Sequence, residues 1–557
     1  MKIFLFLFVI FSVFFSPAAY CEAEVYPYRW VFVISRLDTK KEFDRVSDIV
    51  KTASEHGVNG VVLSANFRNL DQPESEYVKN LLKLKEFCVQ NRMELIPQIF
   101  SAGYGGYVLS INKNLAEGIP VKGVVYEVRD GMARLETDPS VGFKNGGFEE
   151  YTENKAKYYS FHDQPGTVSF IDDTEFMEGK VSMRFENFTA NPHGHGRVMQ
   201  EIKLKPFRSY SVSCQVKTSG LKPKNCFNIS ALSSEGKPLG SCKINIKETA
   251  GWQKISFGFN SRNEELARIY AGVWEAKEGK FWVDNLRIEE TGLLNILRRP
   301  GAPVTVKSEQ TGRIYEEGKD YRQIADKVLD FKINRKPLEI KISKESRIAD
   351  GERLLVDYFQ GISVNDGQVS ICMSEPEVYE IWKKQAEGIH KLLAPDKYLL
   401  SMDEIRAGGS CQACKDRKLS MAEILGDCIT KQYKMIKQLN PEAEIFIWSD
   451  MLDPNHNAVN NYYMVDGDYS GSWKYIPKDM RIMCWYYDKR KESLKFFSGE
   501  GFKTAAGAYY DGDDLKNPKG WLDELDKTKG ALGIMYTTWK NKYDLLADFG
   551  ELTFKRK

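Results

Sequence analysis

The chain has no surplus of either charge: 79 Lys and Arg stand against 77 Asp and Glu over 557 residues, a formal net charge of +2. Without an excess of cations to contact phosphates, a nucleic-acid partner is excluded. Histidine is scarce. The six histidines are scattered and do not make the His/Asp cluster of a metal-dependent deacetylase. Long apolar runs are also missing. After the N-terminal segment no stretch reaches about 18 residues, the least a membrane-spanning helix needs. That segment, Met1 to about Ala23, has Lys2, an apolar run over Ile3–Phe15 and small residues at Ala18 and Ala19. It reads as a secretory signal (residues 1–23), which implies an exported protein, periplasmic or extracellular. Cys21 raises a lipoprotein anchor as a weaker alternative, because Tyr20 before it is a poor fit.

Nine of the 10 cysteines follow Cys21, and an odd count in an exported chain leaves at least one thiol free. Cys411-Gln-Ala-Cys414 reads as a local disulfide or a reduced pair. A zinc site needs a second ligand pair, and none stands at a telling spacing. Aromatic residues are abundant, at 12% with 10 Trp and 28 Tyr. They suit sugar stacking and large β-domains alike.

Strand and helix patterns alternate from Trp30. Apolar strand-like runs at Trp30–Ser35, Gly60–Ser64 and Glu94–Phe100 are separated by helical stretches at Thr39–His56 and Tyr77–Asn91. Serial βα units call for a parallel sheet. From about Glu127 to Glu290 the pattern turns to short alternating segments and turns, an all-β sandwich. A smaller β-rich stretch follows to about Ile362. Alternation then resumes with strands at Tyr398–Met402, Glu444–Trp448, Met480–Trp485, Thr504–Tyr509 and Gly533–Thr538. Three strands before the interruption and five after make eight. The expectation is an α/β (β/α)8 TIM barrel with an inserted all-β sandwich and a small second β-element in the loop after strand 3. The boundaries are 24–126 and 371–557 for the barrel, 127–295 for the sandwich and 296–370 for the small element.

In such a barrel the strand C-termini converge on one pocket. The strongest end is Tyr398-Leu399-Leu400-Ser401-Met402-Asp403-Glu404, an apolar strand delivering two adjacent carboxylates. Around it the other ends supply Arg36, Trp448, Asp450, Trp485, Tyr487, Tyr510, Asp511 and Trp539. Carboxylates, an arginine and aromatics around one cup fit an oligo- or polysaccharide: rings stack on sugar faces, and a carboxylic acid protonates the leaving oxygen. Asp403 and Glu404 are the catalytic candidates. Neighbouring side chains on a strand point to opposite faces, so both face the cup only if the backbone leaves strand geometry there. Asp511 is the alternative nucleophile.

Ser374-Glu-Pro-Glu-Val-Tyr-Glu380, Leu399 to the Asp403-Glu404 pair, Trp448-Ser-Asp450, Thr537-Thr-Trp539 and Arg36 together resemble glycoside hydrolase family 20, the β-N-acetylhexosaminidases. The resemblance implies Glu404 as general acid/base and Asp403 assisting by orienting a 2-acetamido group, with no catalytic cofactor. The chain departs from the family where Ser401 and Met402 replace two glycines and where Pro97-Gln98-Ile99-Phe100 replaces a Pro-Gly-His. The insert resembles jelly-roll carbohydrate-binding modules through Asn145-Gly-Gly-Phe-Glu149 and Trp282-Val-Asp284-Asn285. That likeness makes Glu149 and Asp284 candidate oxygen ligands of a structural calcium. The expected function is an exported glycoside hydrolase. The alternative is a non-catalytic carbohydrate-binding or surface-assembly protein on the same scaffold.

Overall fold

The computed structural model describes residues 26–554, without the side chains of 241–243. The expected secretory segment, with Cys21, lies outside the described residues. Eight parallel strands close into a barrel: β1 (Tyr28–Ile34), β2 (Gly60–Ser64), β3 (Glu94–Ile99), β4 (Lys397–Leu400), β5 (Glu444–Trp448), β6 (Arg481–Cys484), β7 (Lys503–Tyr509) and β8 (Ala531–Thr537). β8 pairs back onto β1, with Trp30 opposite Met535.

The sequence makes these strands apolar on both faces because both are buried. Along β1, Val31 and Val33 pack outward, whereas Trp30 and Phe32 point into the barrel. There they meet Val62, Ile96, Leu399, Phe446, Trp448, Met483 and Met535. Trp30 meets Phe446 edge-on at 4.8 Å. Each buried ring contributes about 2–3 kcal/mol of transfer free energy, so the barrel floor is a rigid plug beneath the strand ends. Helices α1 (Lys40–Glu55) and α2 (Glu76–Gln90) follow β1 and β2. The short α3 (Gly106–Ile111) follows β3, and α4 (Pro376–Leu393) precedes β4. α5 (Gln412–Asp416) and α6 (Met421–Leu439) follow β4, and α7 (Arg490–Gly499), α8 (Lys516–Leu525) and α9 (Leu546–Phe554) follow the last three strands.

The expected (β/α)8 TIM barrel is corrected. Between β5 and β6 the chain makes only 3-10 turns (Asp450–Leu452 and Ser472–Tyr475) and a two-residue strand, with no α-helix. Pro454, Asn455, Asn457, Asn460, Asn461, Gly467 and Gly471 break any helical period there. Among the described residues, 33% are strand and 24% helix. The molecule is therefore β-rich, with a closed parallel barrel and no regular strand–helix repeat.

The insert is nested, not sequential. Ile119–Arg129, which precedes the sandwich, pairs antiparallel with Arg353–Gln360, which follows it. Both lie in one six-stranded sheet, so the expected small element takes strands from each side of the sandwich. The sandwich has two five-stranded sheets around a core that includes Phe185, Phe227, Phe257 and Phe281. Alternation along Ser209–Lys222 gives its Tyr210, Val212, Cys214 and Val216 to that core.

Candidate active site

The strand ends at the barrel mouth carry strained backbone. Left-handed φ occurs at Leu37 after β1, Asn66 and Phe67 after β2, Phe100 after β3, Glu404 after β4, and Tyr509, Tyr510 and Asp511 at the end of β7. None is glycine, and each such residue costs of order 1 kcal/mol or more unless its surroundings hold it. At β4 the turn at Glu404 resolves the strand problem, letting two consecutive acidic side chains serve one region.

The hold on that turn is identifiable. Asp450, fully buried, accepts the Glu404 backbone N–H at 2.8 Å, the Asn457 side-chain amide at 3.0 Å and Trp485 Nε1 at 3.3 Å. Gln368 donates to the carbonyls of Gly103 (3.0 Å) and Glu404 (2.7 Å) and accepts from Arg406. A Cβ at position 103 would collide with the Asp403 carbonyl, so glycine is what lets the β3 loop lie against the acidic turn.

The two neighbouring carboxylates have different surroundings. Asp403 lines a cavity of about 670 Å³ together with Phe32, Arg36, Asn66, Tyr104 and Trp539. Burial, then repulsion by Asp450, pushes its pKa up to about 7, opposed by the Ser401 hydroxyl that donates to it at 2.9 Å. Burial likewise lifts Asp450 to about 6, against its amide donors. Glu404 instead pairs with Arg406 at 2.8 Å through one oxygen and accepts the Tyr104 hydroxyl through the other. Burial opposes the charge on Arg406, but Glu404 and the nearby tyrosines outweigh it and raise its pKa. Arg406 also sits over the Tyr463 ring at 4.9 Å.

The expected binding residues divide. Trp539 and Tyr510 stand exposed at the mouth, 42% and 48% accessible. Tyr510 stacks against Trp485 at 6.1 Å and 7°. Arg36 is exposed on the cavity wall. Trp448 lies deeper, buried, with its ring against those of Phe32 and Trp539 at 6.0 and 6.4 Å, and does not line the cavity itself. Asp450 acts as a brace for the turn. Tyr487 is not at the mouth: it packs against Trp521 of α8 under Arg490. Two aromatics in succession after Trp485 disguised which one turns inward; Tyr486 is the one that stacks on His456, at 4.3 Å. Asp511 accepts from the Thr538 hydroxyl and from the Trp539 and Lys540 amides at 3.0 and 3.2 Å, so it shapes the loop that presents Trp539.

Glu149 and Asp284 meet at one turn of the sandwich. Their oxygens accept from backbone amides, Lys180 (2.9 Å) for Glu149 and Met177, Glu178 and Asn285 (2.8, 3.0 and 2.6 Å) for Asp284. These contacts cap a turn of the sandwich.

Sequence reading missed Tyr104 as a partner of Glu404, Gln368, and the His456, Tyr462 and Tyr463 group. Tyr104 comes from the loop after β3, Gln368 from the exit of the insert, and His456, Tyr462 and Tyr463 from the helix-free segment, so no shared spacing marks them.

No family model matches the chain, and no curated protein matches it. Among the described residues no helix is long and apolar enough to cross a membrane. Among solved structures the chain is similar to one described as "CBM4 structure and function", at 17% identity over 27% of this chain and 99% of that one, TM-score 0.20. It is also similar to TmCBM61 in complex with beta-1,4-galactotriose, at 15% identity over 26% and 95%, TM-score 0.20. A third is the CBM22-1 xylan-binding domain from Paenibacillus barcinonensis Xyn10C, at 14% identity over 28% and 95%, TM-score 0.21. These solved structures include carbohydrate-binding modules, a β-rich group, and likeness at this level assigns no activity to the chain.

Proposed function

We propose that the barrel mouth binds an oligo- or polysaccharide and hydrolyses a glycosidic bond, with Asp403 as proton donor and Glu404 as its ionised partner. One observation carries the reading: two adjacent carboxyls in different surroundings, Asp403 on the cavity wall with its pKa pushed up by burial to about 7, and Glu404 held by Arg406 and Tyr104. Asp403 gives its proton to the glycosidic oxygen as the C–O bond breaks. The Glu404 carboxylate offsets the positive charge that grows on the sugar ring. Water then adds at the anomeric carbon and returns a proton to Asp403. The family 20 resemblance assigns these two roles the other way round, with Glu404 as acid. The contacts argue against that, because both Glu404 oxygens are already engaged, by Arg406 and Tyr104, whereas Asp403 lines the cavity. Trp539, Tyr510 and Arg36 supply ring stacking and hydroxyl contacts.

A second reading is saccharide binding without turnover. It draws on the engagement of both Glu404 oxygens by Tyr104 and Arg406. Aryl glycosides with and without the N-acetyl group, offered to wild type, Asp403→Asn and Glu404→Gln, separate the two. Release that Asp403→Asn abolishes supports hydrolysis with Asp403 as acid. Loss in Glu404→Gln alone returns the acid role to Glu404. Saccharide binding on a glycan array with no release from any substrate favours the second reading.

A further inference from the structure

Away from the mouth, four side chains that the proposed reaction does not use converge in a sealed pocket. Glu117, Cys372, Cys411 and Cys414 are at most 3% exposed, and their ligand atoms all lie within 4.8 Å of one another. The Cys372 sulfur is 3.4 Å from that of Cys411 and 3.7 Å from that of Cys414. The Cys411 and Cys414 sulfurs are 3.8 and 3.7 Å from Glu117 Oε2. These separations exceed a disulfide bond of about 2.05 Å. They match the edges of a tetrahedron around zinc, where Zn–S of about 2.3 Å sets sulfurs about 3.8 Å apart.

We propose that Cys372, Cys411, Cys414 and Glu117 form a structural zinc site that ties the root of the insert to the loop carrying Asp403 and Glu404. The residues are prepared for the role. Cys411 caps α5 and Cys414 lies in its first turn, the two-residue spacing common to zinc ligands. Glu117 Oε1 is fixed by the Ser410 and Cys411 amides at 3.0 and 3.1 Å, which turns Oε2 toward the sulfurs. That anchoring of a ligating carboxylate is what metal sites require of their surroundings. Arg299 lies beside the cluster, bonded to the carbonyls of Asn114 (2.8 Å) and Ala116 (3.0 Å) and paired with Glu375. Three thiolates and a carboxylate carry four negative charges, which a divalent cation and Arg299 together largely offset. Thiolate-rich tetrahedral donors select zinc over magnesium or calcium. Only the Cys411/Cys414 half is marked in the sequence, because Glu117 is 294 residues from Cys411 and Cys372 is 39 from it.

The test is metal analysis of the full-length protein purified with zinc in the medium, joined to zinc K-edge absorption and thiol alkylation without reductant. The expected result is one zinc per chain with three sulfur neighbours at about 2.3 Å and one oxygen at about 2.0 Å. Cys372→Ser and the paired Cys411→Ser/Cys414→Ser variants should hold less than about a tenth of that zinc. Glu117→Gln, which keeps the side-chain volume, should bind zinc at least about tenfold more weakly. A folded wild-type protein without stoichiometric zinc overturns the proposal. So does zinc bound without sulfur neighbours, or a disulfide among these three cysteines in the freshly purified protein.

Discussion

The acidic turn rests on a small number of atoms. Asp450 alone answers three buried donors, one of them the amide of a residue with φ +49°. Asp450→Ala leaves those donors unpaired, at about 1–3 kcal/mol for each that stays buried. Urea unfolding should show that loss, and the Glu404 turn should relax. Asp403 carries a linkage signature. Its pKa is raised in the folded protein from 3.8 to about 7. Its contribution is therefore fully present below about pH 4 and is lost as pH rises through about 7, where the buried carboxyl must ionise. Wild-type Tm should fall across that window more steeply than the Tm of Asp403→Asn, as read by thermal melts at matched ionic strength. Equal slopes would show that Asp403 is solvated in the fold. At this scale the sequence was informative about residue type and mute about surroundings. The Asp-Glu pair after an apolar strand marked the site. The groups that surround them, Asp450, Arg406 and Tyr104, lie on three separate segments and share no spacing.

At the level of elements, strand ends are the positioning device. The β8 end presents Trp539 through Asp511, which holds the loop by two backbone amides and a hydroxyl. Asp511→Asn should change turnover by less than about tenfold while Asp403→Asn costs about 10²-fold or more, the range of a lost general acid. Trp539→Ala should weaken saccharide affinity by roughly tenfold or more, as loss of an exposed aromatic anchor does, with Tm nearly unchanged. Isothermal titration with a glycan-array hit checks both the affinity and the specificity of the effect. The strands themselves were legible because burial on both faces demands unbroken apolar runs such as Val61-Val62-Leu63 and Ile445-Phe446-Ile447. The regular strand–helix repeat was not, because counting strands says nothing of what joins them. Between β5 and β6 the connection is loop, and that loop brings His456, Tyr462 and Tyr463 to the site.

For the whole molecule, the insert is a working part of the barrel and not an appendage. Its entry and exit strands pair with each other, and its exit delivers Gln368 to the acidic turn. From the sandwich, Arg262 donates to the carbonyls of Tyr463 and Val465 at 3.2 and 3.3 Å. This grips the loop whose Tyr463 underlies Arg406. Arg262→Ala should raise hydrogen exchange across residues 459–466 while leaving exchange in the barrel strands unchanged. Unchanged exchange there would mean that the loop holds itself. Nesting of this kind is invisible in one-dimensional patterning. The sequence showed a β-rich interruption with clear edges, but pairing of Ile119–Arg129 with Arg353–Gln360 spans the entire sandwich.

The most direct measurement of the central claim is the pH dependence of saccharide release by wild type and by Asp403→Asn, with binding followed in parallel. Proton donation by Asp403 requires release that is present in mild acid and falls as pH rises through about 7. It also requires that Asp403→Asn bind the same saccharide with release cut about 10²-fold or more at every pH. Release by Asp403→Asn within about tenfold of wild type, or saccharide bound by wild type and never cleaved across the range, would contradict it.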